Sequence, residues 1–296
     1  MKLNSRRAAG GSAQGLDWNE VPARMEARPY LDSFLAGLKK DAYLTLIRRW
    51  AAGLESQRVL KTDLFEEAFG EDAFLEELAQ EYGRAFGLDT SIAITALAHR
   101  RLGPRICCVV ADIRRSPFVQ ESFDLIVSPS TLDHFEQPSD LAVAIREIRS
   151  NLSLKGRLIV TLDNRQNLFD PLLRLVIRLG VVPYFIGRSY RIGALVKELR
   201  RQRLEVEEST AIVHHPRLAA WVAFAVTRLA GLRWLPPWVE RCFLAMQRLE
   251  HTRWRYFTGC FVAALAKRQP LPETSPAASA QPDPARRYPT LESPLP

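Results

Sequence analysis

"RAFGLDTSIAITALAHRRLGPRICCVVADIRRSPF", residues 84 to 118, decides the fold. Two short apolar runs, 84 to 89 and 105 to 112, each close on an aspartate, Asp89 and Asp112. Between them "SIAITALAHRRL" spaces its apolar residues as one face of a helix. Strand, helix and strand in that order form the repeating unit of a mostly parallel sheet.

The alternation continues in both directions. Strands are expected at 58 to 64 ("RVLKTDL"), 123 to 129 ("FDLIVSP") and 156 to 163 ("GRLIVTLD"), with helices at "DAFLEELAQEY" and "SDLAVAIREIRSNL" between them. Two further strands, 203 to 213 and 258 to 268, complete the pattern. The expected fold is α/β, with a Rossmann-like, mostly parallel sheet and helices on both faces. The last two strands flank a long apolar helical segment, read as a helical cap at 214 to 256 or a surface that meets lipid. Its longest unbroken apolar run, Leu218 to Val226, is too short to span a bilayer.

The ends differ in composition. Residues 1 to 28 read as a flexible arm without the apolar core of a signal peptide, 29 to 56 as a pair of amphipathic helices, and 269 to 296 as a disordered tail rich in Pro, Ser and Ala. Residues 57 to 268 are the α/β domain. A chain of 296 residues, 47% hydrophobic and 25% charged, can bury a sizeable core. The net charge of +8 is carried by scattered pairs such as Arg48-Arg49 and Arg200-Arg201, which suits solvated helix faces better than a nucleic-acid footprint. Four cysteines without CxxC spacing indicate reduced thiols and a cytoplasmic protein. No metal site is expected, since the adjacent His214 and His215 would point to opposite faces of a strand.

Ligands of an open parallel sheet lie beyond the carboxyl ends of its strands. The polar residues there are Asp63, Asp89, Asp112, the segment "SPSTLDHF" at 128 to 135, and Asp163-Asn164. Asp89 suits the two hydroxyls of a ribose, or equally the N-cap of the helix that follows, a place Thr90 or Ser91 could also take. Asp112 suits an exocyclic adenine amine, or a turn before Pro117.

On "FGLDTSIAI", "ADIRRSPF", "SFDLIVSPSTLDHF" and "LKGRLIVTLDN" the chain resembles the class I S-adenosylmethionine-dependent methyltransferases, in particular the branch acting on small molecules and lipids. The resemblance covers about residues 58 to 164. It implies a seven-stranded sheet with the last strand antiparallel and S-adenosylmethionine as cofactor. Asp89 and Thr90 would then lie at the ribose, Asp112 and Ile113 at the adenine, and Ser128 beside the ligand.

The first loop departs from that pattern. The family has an acidic residue and a glycine-rich turn after its first strand, whereas this chain has Lys61, Thr62, Asp63, Leu64, Phe65, Glu66 and Glu67, with no glycine before Gly70. An acidic, glycine-free turn repels phosphates. A sulfonium amino acid is acceptable there, with Asp63 facing its ammonium and Lys61 or Thr62 its carboxylate. The other reading is an acidic first turn that suits the dipole of a helix, with cofactor affinity reduced or lost.

His134, or Asp133 beside it, is the candidate base for an acceptor that must lose a proton. Trp221, Phe224, Trp238 and Phe243 in the cap, with Tyr184 and Tyr190, offer an apolar lining for a small-molecule or lipid-like acceptor, or simply the core of the cap. Peripheral membrane contact is a further expectation. A methyltransferase-like scaffold without catalysis is the alternative.

Overall fold

The computed structural model describes residues 33–179, 187–231 and 236–269. The expected arm, the tail and Tyr184 lie outside these. Within them the chain runs α1 (Ser33–Trp50), β1 (Arg58–Lys61), α2 (Phe65–Phe69), α3 (Leu75–Tyr82), β2 (Arg84–Asp89), α4 (Ile92–Leu102), β3 (Cys107–Val110) and β4 (Phe123–Pro129). It continues through α5 (Pro138–Asn151), β5 (Leu152–Asp163), α6 (Asp170–Arg178), α7 (Ile192–Arg201), β6 (Leu204–Ile212), α8 (Arg217–Leu229), α9 (Pro237–Gln247), α10 (Arg255–Thr258) and β7 (Phe261–Arg268). Among the described residues α1 is one continuous helix where a pair is expected.

The seven strands form one sheet in the order β3-β2-β1-β4-β5-β7-β6. β7 runs antiparallel to both β5 and β6, and the remaining pairs are parallel. Strand alternation splits the core between two layers. Val59, Leu125, Val127 and Ile159 face Tyr43, Trp50, Phe74 and Leu78 from α1 and α3, while Leu60, Ile126, Leu158 and Val160 face Ile145, Ile148, Leu195 and Leu199 from α5 and α7. Both faces are therefore covered, as a parallel sheet requires. The cap helices pack on the outside of α1, where Leu35 and Leu38 meet Ala220, Val239 and Phe243.

The chain order reverses between β1 and β4, which opens a crevice at the carboxyl ends of those strands. β1 stops at Lys61, three residues short of its expected end, so Thr62 to Leu64 form the loop over that crevice.

Candidate active site

The loop after β1 is held by charge where the family pattern uses glycine. The Lys61 side chain is fully buried, and its ammonium donates to the Asp63 carbonyl at 2.7 Å, Glu66 Oε2 at 3.0 Å and Glu67 Oε2 at 2.7 Å. It also lies 5.0 Å from the centroid of the Phe74 ring. Lys39 on α1 reaches the second Glu66 oxygen at 3.0 Å and Asp72 at 2.7 Å. Glu67 Oε1 meanwhile accepts the backbone N–H groups of Phe74 and Leu75, at the start of α3. Burial opposes the charge of Lys61, but Glu66 and Glu67 outweigh it and raise its pKa, while Lys39 and Lys61 hold Glu66 below its ordinary value against the same burial.

This placement corrects two expectations. The Lys61 ammonium has its three donors engaged inside the protein and does not face the crevice. The buried hydroxyls of Thr62 and Ser128 bond each other at 2.9 Å, and Thr62 also meets Thr131 at 3.1 Å. These groups tie β1 to β4 rather than present themselves to a ligand.

The carboxylates take different positions. Asp63 is partly exposed, and its Oδ1 accepts the Phe65 N–H at 2.8 Å. Burial raises its pKa well above the ordinary value, and the charges of Glu66 and Asp89 add to the rise against the opposing pull of Lys61. Asp89 Oδ2 accepts the Leu64 N–H at 3.2 Å and Oδ1 the Ser91 N–H at 2.8 Å, so it joins the β1 loop to the end of β2. The helix cap is Ser91, whose hydroxyl accepts from Ile94 N, and Thr90 is exposed beside Asp89. At the end of β3, Asp112 caps a short 3-10 turn, Ile113–Arg115, and pairs with Arg114, which also reaches Asp140 at 2.5 Å. Those hydrogen bonds lower the Asp112 pKa against its partial burial. Ile113 is buried beneath.

Past β4, Asp133 is fully buried on a 3-10 turn, Leu132–His134. Its Oδ2 accepts from Ser130 Oγ at 2.8 Å and from the Asp163 N–H at 2.6 Å. No hydrogen bond reaches Oδ1, which lies 3.8 Å from His134 Nε2. The chain after the described gap closes on this turn: Arg188 N donates to the Asp133 carbonyl at 2.6 Å, and a Cβ at Gly187 would overlap that carbonyl. Only glycine permits so close an approach.

Burial raises the Asp133 carboxyl to about 6, with the charge of Asp163 adding and that of His134 opposing. Its folded pKa thus exceeds the unfolded value near 3.8, so stability is greatest below that value and declines as the pH rises to about 6. Asp133→Asn, with no proton to lose, should gain on wild type by about 2–3 kcal/mol across that window, beyond any constant offset from the amide. Urea unfolding at several pH values reads the difference. A difference that does not change with pH would mean Asp133 is not perturbed.

Of three neighbours of this turn, sequence reasoning did not single out Tyr43 and Arg174. Tyr43 on α1 shares a hydrogen bond of 2.9 Å with Thr161 on β5, whose hydroxyl accepts from Ser130 N. Arg217 at the start of α8 pairs with Asp163 at 2.8 Å and lies over the Phe261 ring. Arg174 on α6 pairs with Asp170 and donates to the Gly187 carbonyl at 3.0 Å. Tyr43 and Arg217 meet partners far off in the chain, whereas Arg174 meets Asp170 one helical turn away. Tyr190 bridges Asn164. His214 and His215 lie beyond the end of β6, not on the strand; His214 bonds Thr258 and the Ala211 carbonyl, and burial lowers the pKa of both histidines. Among the described residues no group of His, Cys, Asp and Glu could hold a metal ion.

Residues 66–160 match a family model described as a methyltransferase domain. The match begins within the glycine-free stretch, at Glu66, and covers about a third of the chain. No curated protein matches. The fold is shared with the [4+2]-cyclase SpnF (18% identity, 77% of this chain and 80% of that one, TM-score 0.52). It is also shared with a geranyl diphosphate C-methyltransferase from Streptomyces coelicolor A3(2), solved with magnesium, geranyl diphosphate and S-adenosyl-L-homocysteine (12%, 83% and 88%, TM-score 0.53). A sarcosine dimethylglycine methyltransferase, so described, from Galdieria sulphuraria is similar as well (14%, 78% and 86%, TM-score 0.54).

Proposed function

We propose that the chain is a class I S-adenosylmethionine-dependent methyltransferase that methylates a small-molecule or lipid-like acceptor at the ends of β4 and β5, a reading supported by the methyltransferase-domain match over residues 66–160. The observation that carries the reading is the charge at the mouth of the crevice. The carboxyl groups of Asp63 and Asp89 stand at the ends of β1 and β2, where burial raises the pKa of each and a cationic ligand would favour the charged form, while the nearby ammonium of Lys61 is spent on Glu66 and Glu67. Among the described residues named here no cation is left for a ligand, and S-adenosylmethionine brings two positive charges, its ammonium and its sulfonium, against one carboxylate. A polyphosphate would meet only repulsion there.

In this reading Asp63 faces the ammonium with Oδ2, Asp89 and Thr90 face the ribose hydroxyls, and Asp112 and Ile113 border the adenine. Thr62 and Ser128 hold the strand ends in register and Lys61 braces the loop from below. The cofactor supplies the electrophilic methyl group, so the protein's part is mainly to align acceptor, methyl carbon and sulfur. His134 receives the proton of a hydroxyl acceptor, and the Asp133 carboxylate stabilises the imidazolium that results. His134→Ala should lower kcat by about 100-fold while leaving cofactor affinity unchanged.

Incubation of the protein with methyl-labelled S-adenosylmethionine and a panel of lipid extracts, phenols and amines tests the acceptor class. Label in organic-extractable product supports the reading. Tight cofactor binding with no transfer to any of them would favour a scaffold, a role to which the glycine-free loop also lends itself.

A further inference from the structure

Outside the strand ends, the outer face of α6 is an exposed apolar surface. Leu168, Leu172, Leu175 and Leu179 recur at intervals of four, three and four, and each is more than half exposed, from 51% to 69%. The opposite face holds the helix to the protein, through buried Leu173 and the Asp170–Arg174 pair. The ridge continues onto α10, because Leu168 N donates to the Phe257 carbonyl at 2.9 Å and Phe257 meets Trp254 edge-on at 6.0 Å. Both rings are exposed, 40% and 51%.

The two segments that form this ridge are predominantly basic. Arg165, Arg178 and Arg253 are exposed at its rim, and the Arg253 guanidinium lies 5.8 Å from the Trp254 ring centroid. Asp170 is the sole acid from 164 to 179 and is taken by Arg174; residues 251 to 259 contain none. The neighbouring Glu250 is paired with Arg49. A leucine ridge with an indole at one end and arginines at its rim matches the boundary between acyl chains and anionic headgroups, where apolar groups enter and cations stay outside. Among the described residues no helix is long and apolar enough to cross a membrane, so α6 would lie in the plane of the surface.

We propose that the α6–α10 ridge docks the protein on the surface of an anionic phospholipid bilayer. Arg174 connects this ridge with the candidate active site, since its donors reach Gly187 and Ser189 next to the Asp133 turn. A lipid-like acceptor would then be presented from the bilayer side, a corollary that rests on the function proposed above.

Cosedimentation of the full chain with vesicles tests the docking without using cofactor or activity. Vesicles containing phosphatidylglycerol should retain the protein and vesicles of phosphatidylcholine alone should not, with retention falling as salt is raised. Leu172→Glu/Leu175→Glu should weaken retention by at least about tenfold, and Arg178→Glu/Arg253→Glu should remove the preference for anionic lipid. The unfolding temperatures of these variants should stay at the wild-type value, because the altered side chains are exposed. Failure to bind anionic vesicles, or equal binding by the leucine variant, would overturn the proposal. So would sedimentation velocity showing a wild-type dimer that the leucine substitutions dissociate, which would give the ridge to a second copy of the chain. Vesicle binding without methyl transfer would leave the docking standing and remove only the function.

Discussion

Lys61→Met is expected to destabilise the protein by about 3–5 kcal/mol near neutral pH, the largest loss of any single substitution in the candidate site. The methionine fills much of the same space, so the loss is electrostatic. Glu67 is fully buried and Glu66 nearly so, and without Lys61 only Lys39 remains for the pair. Burial already raises the Glu67 pKa above its ordinary 4.5, with the Glu66 charge adding and Lys61 opposing; losing Lys61 raises it further. A carboxyl with a raised folded pKa costs stability once the pH exceeds the unfolded value, and the cost is complete above the folded one. The defect should therefore shrink as the pH is lowered towards 4.5. Urea unfolding across that range measures it, and Glu67→Gln in the Lys61→Met background should recover part of the loss. An uncharged pair that recovers nothing would mean that packing, not charge, holds the loop.

Asp89→Ala is expected to weaken S-adenosylmethionine binding by about 10²–10⁴-fold. Two charge-assisted hydrogen bonds to ribose hydroxyls would be lost, each worth about 1.5–3 kcal/mol. The same carboxylate holds Leu64 N and Ser91 N, so the loop loses an anchor as well. Thr90→Ala separates these contributions. It removes a hydroxyl from the exposed residue beside Asp89 and leaves the loop bonds in place, so it should have a much smaller effect. Calorimetric titration of the three proteins, each checked for folding by circular dichroism, reads the ratios.

The sheet was legible because most strands contain a short apolar run and the helices between them have their own period. Those are local signals, and β2, β4 and the ends of β5 and β7 fall where the residues indicate. The strand ends were legible in part: Asp89 closes β2 as the residues indicate, whereas β1 and β3 stop two residues before Asp63 and Asp112. What each carboxylate does was harder to see. Asp112 spends its hydrogen bonds on Arg114 two residues away, while Asp89 reaches back to Leu64, 25 residues earlier in the chain. Lys61 shows the limit most clearly. In sequence it is a cation in a ligand-binding loop, yet successive side chains of β1 point to opposite faces of the sheet, and that of Lys61 falls on the layer packed by Phe74, where two glutamates follow it. The Asp163–Arg217 and Tyr43–Thr161 pairs join residues 54 and 118 positions apart, and no periodicity carries that information.

The most direct measurement is a calorimetric titration of the wild-type protein with S-adenosylmethionine and, in parallel, with ATP. Both ligands carry adenosine, and they differ in the charge they bring to the loop of Asp63, Glu66 and Glu67. Micromolar binding of S-adenosylmethionine and no detectable heat from ATP are expected. A folded protein that binds ATP, or that gives no heat with S-adenosylmethionine, would contradict it.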